Sequence, residues 1–225
     1  MRFIITTQKL SKIYTEKDSA IQTKALDNIN LAIEEGDFVA IAGPSGSGKT
    51  TLLNMMGALD TPTNGEVVVD GTLLASLNKA KQAEFRLKKI GFVFQAYNLI
   101  NTLTAIENAE YVMLLQGIPA RRRRHETFQV FKDLGLANYV NRKPSELSAG
   151  QQQRVAVARA ILAKPKLILA DEPTANLDSQ TGSDLIDLMH LMNKNLGITF
   201  IFATHDKMVM DKTQTLLQLH DGRIA

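Results

Sequence analysis

Gly43, Gly48, Lys49 and Thr50, within "GPSGSGKTTLL", satisfy the spacing G-x-x-x-x-G-K-[ST]. The chemistry of such a run is phosphate binding. Glycines let backbone N–H groups turn inward and approach phosphate oxygens closely. The helix that follows adds unpaired N–H groups and the positive end of its dipole. Lys49 supplies a charge for the β- and γ-phosphates, and the Thr50 hydroxyl can ligate Mg²⁺. Pro44, Ser45, Gly46, Ser47 and Thr51 complete the candidate loop.

A second cluster, "LILADEPTANLD", is an apolar run ending in two carboxylates, Asp171 and Glu172. At a strand end the chain turns, so both can face one cavity. Asp171 is then suited to hold Mg²⁺, and Glu172 to act as general base on an attacking water. The third cluster is "ELSAGQQQRVAVARAIL". Ser148 and Gln151 fit a capping box, and the helix they open is also a candidate second phosphate-binding terminus. The two roles are compatible.

Elements that can position these groups are legible in the hydrophobic pattern. "RFIITTQKL", "ALDNINLAIE", "FVAIAG", "GEVVVDG", "KLILADE", "ITFIFATHD" and "TLLQLHDGRI" read as strands. "TLLNMMGAL" is expected to put Leu52, Met56 and Leu59 on one helical face. From about Asn78 to Tyr139 the pattern is mostly helical. Strands alternating with helices predict an α/β domain with a largely parallel sheet.

The 225 residues fit one domain, with roughly 90–160 as a helical insertion. There is no cysteine, which excludes disulfides and thiolate metal sites. Neither a signal peptide nor an apolar run long enough to span a bilayer stands out. A net charge of +3 gives little warrant for nucleic-acid binding. Arg121 to Arg124 is a short basic block, read as a solvated helix start in preference to a contact with anionic lipid or a partner.

In order and spacing, the P-loop, "LSAGQ", "DEP", "NLD" and "THD" resemble the ATPase subunit of ATP-binding cassette (ABC) transporters over essentially the whole chain. The resemblance implies a P-loop NTPase with a RecA-like core, a small antiparallel β region and a helical subdomain. It makes Tyr14 the aromatic that stacks on adenine. It makes Gln95 the glutamine that senses Mg²⁺ and His205 the switch histidine beside the γ-phosphate. Asp178 falls in the loop that crosses to a second subunit. Ser148, Gly150 and Gln151 would cover the ATP held by another copy, in a homodimer with two composite sites. Ala149 departs from the family's usual glycine at that position.

"LDTPTNGEV", "GFVFQAYNLINTLTAIENAE" and "ILADEPTANLDS" bring the likeness closest to the LolD and MacB group. That implies an integral-membrane permease partner of the FtsX/MacB-like type and no nucleic acid. The expected location is peripheral, on the cytoplasmic face of the cell membrane. An alternative is an FtsE-like coupler that regulates a periplasmic partner without transport. The same likeness places the groove for a short permease helix near Tyr97, Leu99, Ile100 and Leu103.

Overall fold

A computed structural model describes residues 2–15 and 22–225. The chain opens with two long strands, β1 (Phe3–Thr15) and β2 (Gln22–Glu34). Then come β3 (Phe38–Ala42), α1 (Lys49–Met56), β4 (Asn64–Val69), β5 (Thr72–Leu73) and α2 (Lys79–Lys89). The middle of the chain holds β6 (Ile90–Phe94), α3 (Ala105–Leu115), α4 (Ala120–Asp133) and α5 (Ala149–Leu162). It closes with β7 (Leu167–Asp171), α6 (Ser179–Leu196), β8 (Thr199–Thr204), α7 (Lys207–Asp211), β9 (Thr215–His220) and β10 (Arg223–Ile224).

Two sheets form. The larger has the order β10-β9-β3-β8-β7-β6 and is parallel except for β10. The smaller is antiparallel, β2-β1-β4-β5. Every residue of β3 is buried, which an all-apolar strand tolerates only when both sheet faces are covered.

The two-residue period of the strands divides the core. Phe38, Ile168, Ala170, Phe200 and Phe202 point into one cluster, with α3, α4, α5 and α6. Val39, Ile41, Leu167, Leu169 and Ile201 point into the other, shared with α1 and the antiparallel sheet. The large sheet is thus the wall between two hydrophobic cores.

The stretch from Asn78 to Tyr139 is mostly helical as expected, interrupted by "IGFVF", which leaves α2 directly and pairs in parallel with β7. One expectation is corrected. Leu59 does not share a helical face with Leu52 and Met56. α1 stops at Met56, Ala58 turns with φ 53°, and Leu59 is 45% exposed.

The arginine block opens α4 and is largely used within the fold. Arg122 pairs with Glu126, Arg124 lies near Glu110, and the Arg123 guanidinium donates to the Ile118 carbonyl. Among the described residues no helix is long and apolar enough to cross a membrane.

Candidate functional site

Parallel strands deliver their carboxyl ends to one edge, where open α/β sheets bind ligands. Here Ala42 of β3 lies opposite Thr204 of β8, and Asp171 of β7 lies between Ala203 and Phe94 of β6. The loops leaving these strands carry the candidate groups. They meet around a cleft of about 410 Å³, lined by Ser45, Gly46, Gly48, Lys49, Thr50, Thr51, Gln95, Glu172 and His205. Thr23, Lys24 and Ala25 of β2 form one wall.

The loop after β3 is built for an anion. Gly48, at the start of α1, has φ 103°, and a side chain there would come within 2.4 Å of the Ala25 carbonyl oxygen. Only glycine fits. Because Gly48 offers no capping side chain, the first N–H groups of α1 are left for another acceptor. Ser47 Oγ is buried and has no hydrogen-bond partner among the described residues. Lys49, only 8% exposed, donates to the carbonyls of Gly43 at 2.8 Å and Pro44 at 3.1 Å. An uncapped helix start, an unpartnered buried hydroxyl and a sequestered ammonium together suit a phosphate chain.

Thr50 Oγ1 donates to both carboxylate oxygens of Asp171, at 3.0 and 3.2 Å. Burial raises the Asp171 carboxyl above its ordinary value, helped by the Glu172 charge and opposed by Thr50 and Lys49. Among the described residues no group of three His, Asp, Glu or Cys side chains gathers as a metal cage. A hydroxyl beside one carboxylate suits Mg²⁺, which takes one or two carboxylates and completes its shell with phosphate and water.

Glu172 has φ 46°, a left-handed conformation uncommon outside glycine. Its amide donates to the Ala203 carbonyl at 2.9 Å, which holds that turn against β8. Its carboxylate lies 2.7 Å from His205 Nδ1, accepts from Thr204 Oγ1 at 3.3 Å and sits 3.9 Å from Lys49 Nζ. Gln95 follows β6 directly, and its carbonyl accepts from Asn176 Nδ2 at 2.9 Å.

Tyr14 lies at the rim and does not line the cleft itself. It pairs across the ladder with Thr23, which does. Its hydroxyl donates to Asp60 at 2.9 Å. Burial raises the phenol pKa, reinforced by Asp60 and opposed by the neighbouring Thr51 hydroxyl.

Ser148, Gly150, Gln151 and Asp178 gather elsewhere. None of them lines the cleft. Ser148 and Gln151 form the capping box expected of them, at 3.3 and 3.0 Å, and Ser148 and Ala149 are exposed. Asp178 caps α6 through Thr181, whose hydroxyl and N–H hold its carboxyl below the usual range. A Cβ on Gly150 would meet the Thr181 methyl at 2.6 Å, so α5 and α6 start side by side because residue 150 is glycine.

Sequence reasoning missed Arg159. Its guanidinium reaches from α5 to the carbonyls of Tyr97 at 2.8 Å and Asn98 at 2.6 Å, two left-handed residues just beyond Gln95. Burial lowers its pKa. The only local signal is an arginine set among the small apolar residues of "VAVARAIL".

Arg159 also borders an apolar groove of about 680 Å³, with Leu59, Phe92, Phe94, Val112 and Leu115. Of the segment expected to anchor a permease helix, Asn98 lines this groove, whereas Tyr97, Leu99, Ile100 and Leu103 do not. Leu99 instead packs against the helical core.

The model of the family described as ABC transporter matches residues 26–175, which include the P-loop, Gln95, the Ser148 helix and the two carboxylates. The chain belongs to that family. It is 39% identical over 222 residues to the lipoprotein-releasing system ATP-binding protein LolD of Pseudoalteromonas translucida, covering 99% of this chain and 95% of that one. It is 43% identical over 221 residues to the macrolide export ATP-binding/permease protein MacB of Brucella melitensis. There it covers 98% of this chain but only 34% of the relative, about a third of its length. Among solved structures, a dimeric ATP-binding cassette in a post-hydrolysis state, bound to ADP and Pi, superimposes with a TM-score of 0.90 at 41% identity. That match covers 98% of this chain and 96% of the other. This chain is therefore an ABC ATPase, the ATP-binding subunit that energises a transporter, with the P-loop NTPase fold.

Proposed function

We propose that two copies of this ABC ATPase close over two ATP molecules and drive an integral-membrane permease of the FtsX/MacB-like type from the cytoplasmic face of the membrane. The observation that carries this reading is the division of its site residues. Lys49, Thr50, Gln95, Glu172 and His205 surround one cleft, while Ser148, Gly150 and Gln151 at the start of α5 and Asp178 at the start of α6 lie outside it, with Ser148 and Asp178 exposed. Both sets serve one nucleotide only if the second comes from another copy.

Within each site Lys49 neutralises charge on the β- and γ-phosphates, and Tyr14 stacks on the base. Thr50, Asp171 and Gln95 are the residues that would hold Mg²⁺, whose charge, when bound, offsets that of the phosphates. Glu172 takes the proton of the attacking water, and His205, 2.7 Å away, orients its carboxylate. The exposed end of α5 covers the phosphates of the opposite subunit with its N–H groups.

The chain has no cysteine, so cross-linking can test the pairing cleanly. Ser45 and Ser148 are both exposed. When Ser45→Cys and Ser148→Cys proteins are mixed, a short thiol cross-linker should join them in an ATP-dependent manner. Cross-linking indifferent to ATP, or absent with it, would count against the composite site.

The apolar groove is the proposed seat of a short cytoplasmic helix of the permease, a contact that rests on a few apolar anchors. Leu115 and Leu59 are 56% and 45% exposed at its rim. Changing either to Ala should weaken recovery with the permease about tenfold or more, the scale of a lost anchor, without lowering the melting temperature. Leu99→Ala should instead destabilise the fold, because Leu99 packs against the helical core. Wild-type assembly by both the Leu59 and Leu115 variants would move the docking site elsewhere.

A further inference from the structure

Asp60 does not line the cleft, yet it joins the two halves of the nucleotide site. It sits four residues beyond α1, where the Leu59 and Asp60 amides turn back onto the Asn54 carbonyl at 2.9 and 3.3 Å. One carboxylate oxygen accepts the Tyr14 hydroxyl at 2.9 Å. The other accepts Lys12 Nζ at 2.8 Å and the Thr61 amide at 2.7 Å. Lys12 Nζ also donates to the Thr61 carbonyl at 2.8 Å and stands 4.9 Å from the centre of the Tyr14 ring. The Lys12 side chain is mostly buried, so its charge is committed to this cluster.

We infer that Asp60 is a positioning residue for the nucleotide base: it locks the Tyr14 ring to the far end of the P-loop helix, while Lys12 occupies one ring face and leaves the other for adenine. The inference rests on the proposed stacking role of Tyr14. The helix that presents N–H groups to the phosphates then also sets, through the turn beyond its last residue, the plane on which the base lies. Without the tether, the phenol sits on the small antiparallel sheet and rotates freely about its side-chain bonds. Binding a base then costs the ordering of that ring. Lys12 strengthens the arrangement, since a cation held over one face of an aromatic ring is attracted by its π-electrons. Burial and three donors compete at Asp60. Burial pushes its carboxyl up, but the Lys12, Thr61 and Tyr14 hydrogen bonds prevail and hold it below the usual range, so it stays charged to accept all three.

The test separates base from phosphate by calorimetry with ADP and with inorganic pyrophosphate. Tyr14→Ala should weaken ADP about tenfold, the scale of a lost aromatic–base stack, and leave pyrophosphate unchanged. Asp60→Ala should weaken ADP about two- to tenfold, again without affecting pyrophosphate. In the Tyr14→Ala background it should have no further effect, because the ring it positions is gone. Asp60→Asn keeps an acceptor for the phenol and should restore most of the ADP affinity. Tyr14→Phe cuts the tether while leaving the Asp60–Lys12 pair intact, so it serves if Asp60→Ala folds poorly; it too should lose affinity for ADP alone.

If Tyr14→Ala binds ADP normally, the stacking role fails and the inference falls with it. If Tyr14→Ala weakens ADP but Asp60→Ala and Tyr14→Phe do not, stacking stands and the positioning role is wrong. Equal losses of ADP and pyrophosphate in Asp60→Ala would show that Asp60 supports the P-loop helix rather than the ring.

Discussion

Glu172→Gln should bind ATP with wild-type affinity and turn it over about 10²–10⁴-fold more slowly, the usual cost of losing a general base. The substitution keeps the shape and hydrogen-bonding reach of the side chain but cannot accept a proton. The surroundings favour this clean separation. The turn at residue 172 is held by its own amide on the Ala203 carbonyl, so the left-handed backbone does not depend on the carboxylate. Thr204 and His205 can each still bond an amide. With closure preserved and hydrolysis blocked, the variant should collect as an ATP-bound dimer, visible by size-exclusion chromatography with light scattering. Phosphate release in a single turnover gives the rate directly. Near-normal hydrolysis would remove Glu172 from the role of base.

The second large effect divides the proposed composite site. Lys49→Ala removes the one ammonium among the cleft-lining residues that is nearly buried, and should weaken ATP binding to the monomer about 10–100-fold, as for a lost charge-assisted bond. Ser148→Arg should leave monomer binding unchanged and abolish dimer closure, because a bulky cation then stands on the face offered to the partner. Ser148 also caps α5, and losing that cap costs about 1 kcal/mol of stability, so Ser148→Asp is the sharper probe. Aspartate preserves the cap and sets a negative charge where the partner's phosphates arrive. Equilibrium binding to dilute monomer, with a melting curve for each variant, decides the matter. If Ser148→Arg weakens monomer binding as much as Lys49→Ala does, the trans arrangement is wrong for this chain.

Much of the site was legible because its signals are local. A glycine-rich loop between a five-residue apolar strand and an amphipathic helix states its own conformation, and so does an apolar strand ending in Asp171 and Glu172. The Ser148–Gln151 box needs only a three-residue spacing, and the structure forms it as expected. Local patterns failed where a neighbour in space made the decision. β6 is five residues following a Lys-rich helix without a turn, and only its pairing with β7 makes it a strand and sets Gln95 at the sheet edge. Leu59 continues the helical spacing of α1, but the chain leaves that helix at Gly57 and places Leu59 on the groove.

The amino-acid sequence by itself determined the fold class, the phosphate loop and the family, since glycine placement, two-residue alternation and motif order survive without knowledge of contacts. Tertiary structure alone decided that α5 and α6 start side by side at Gly150 and Thr181, that Arg159 supports the loop beyond Gln95, and that Asp60 and Lys12 hold Tyr14. These are relations between residues 46 to 62 positions apart, or between the starts of separate helices. No periodicity encodes them, because strand order and register choose which distant side chains meet.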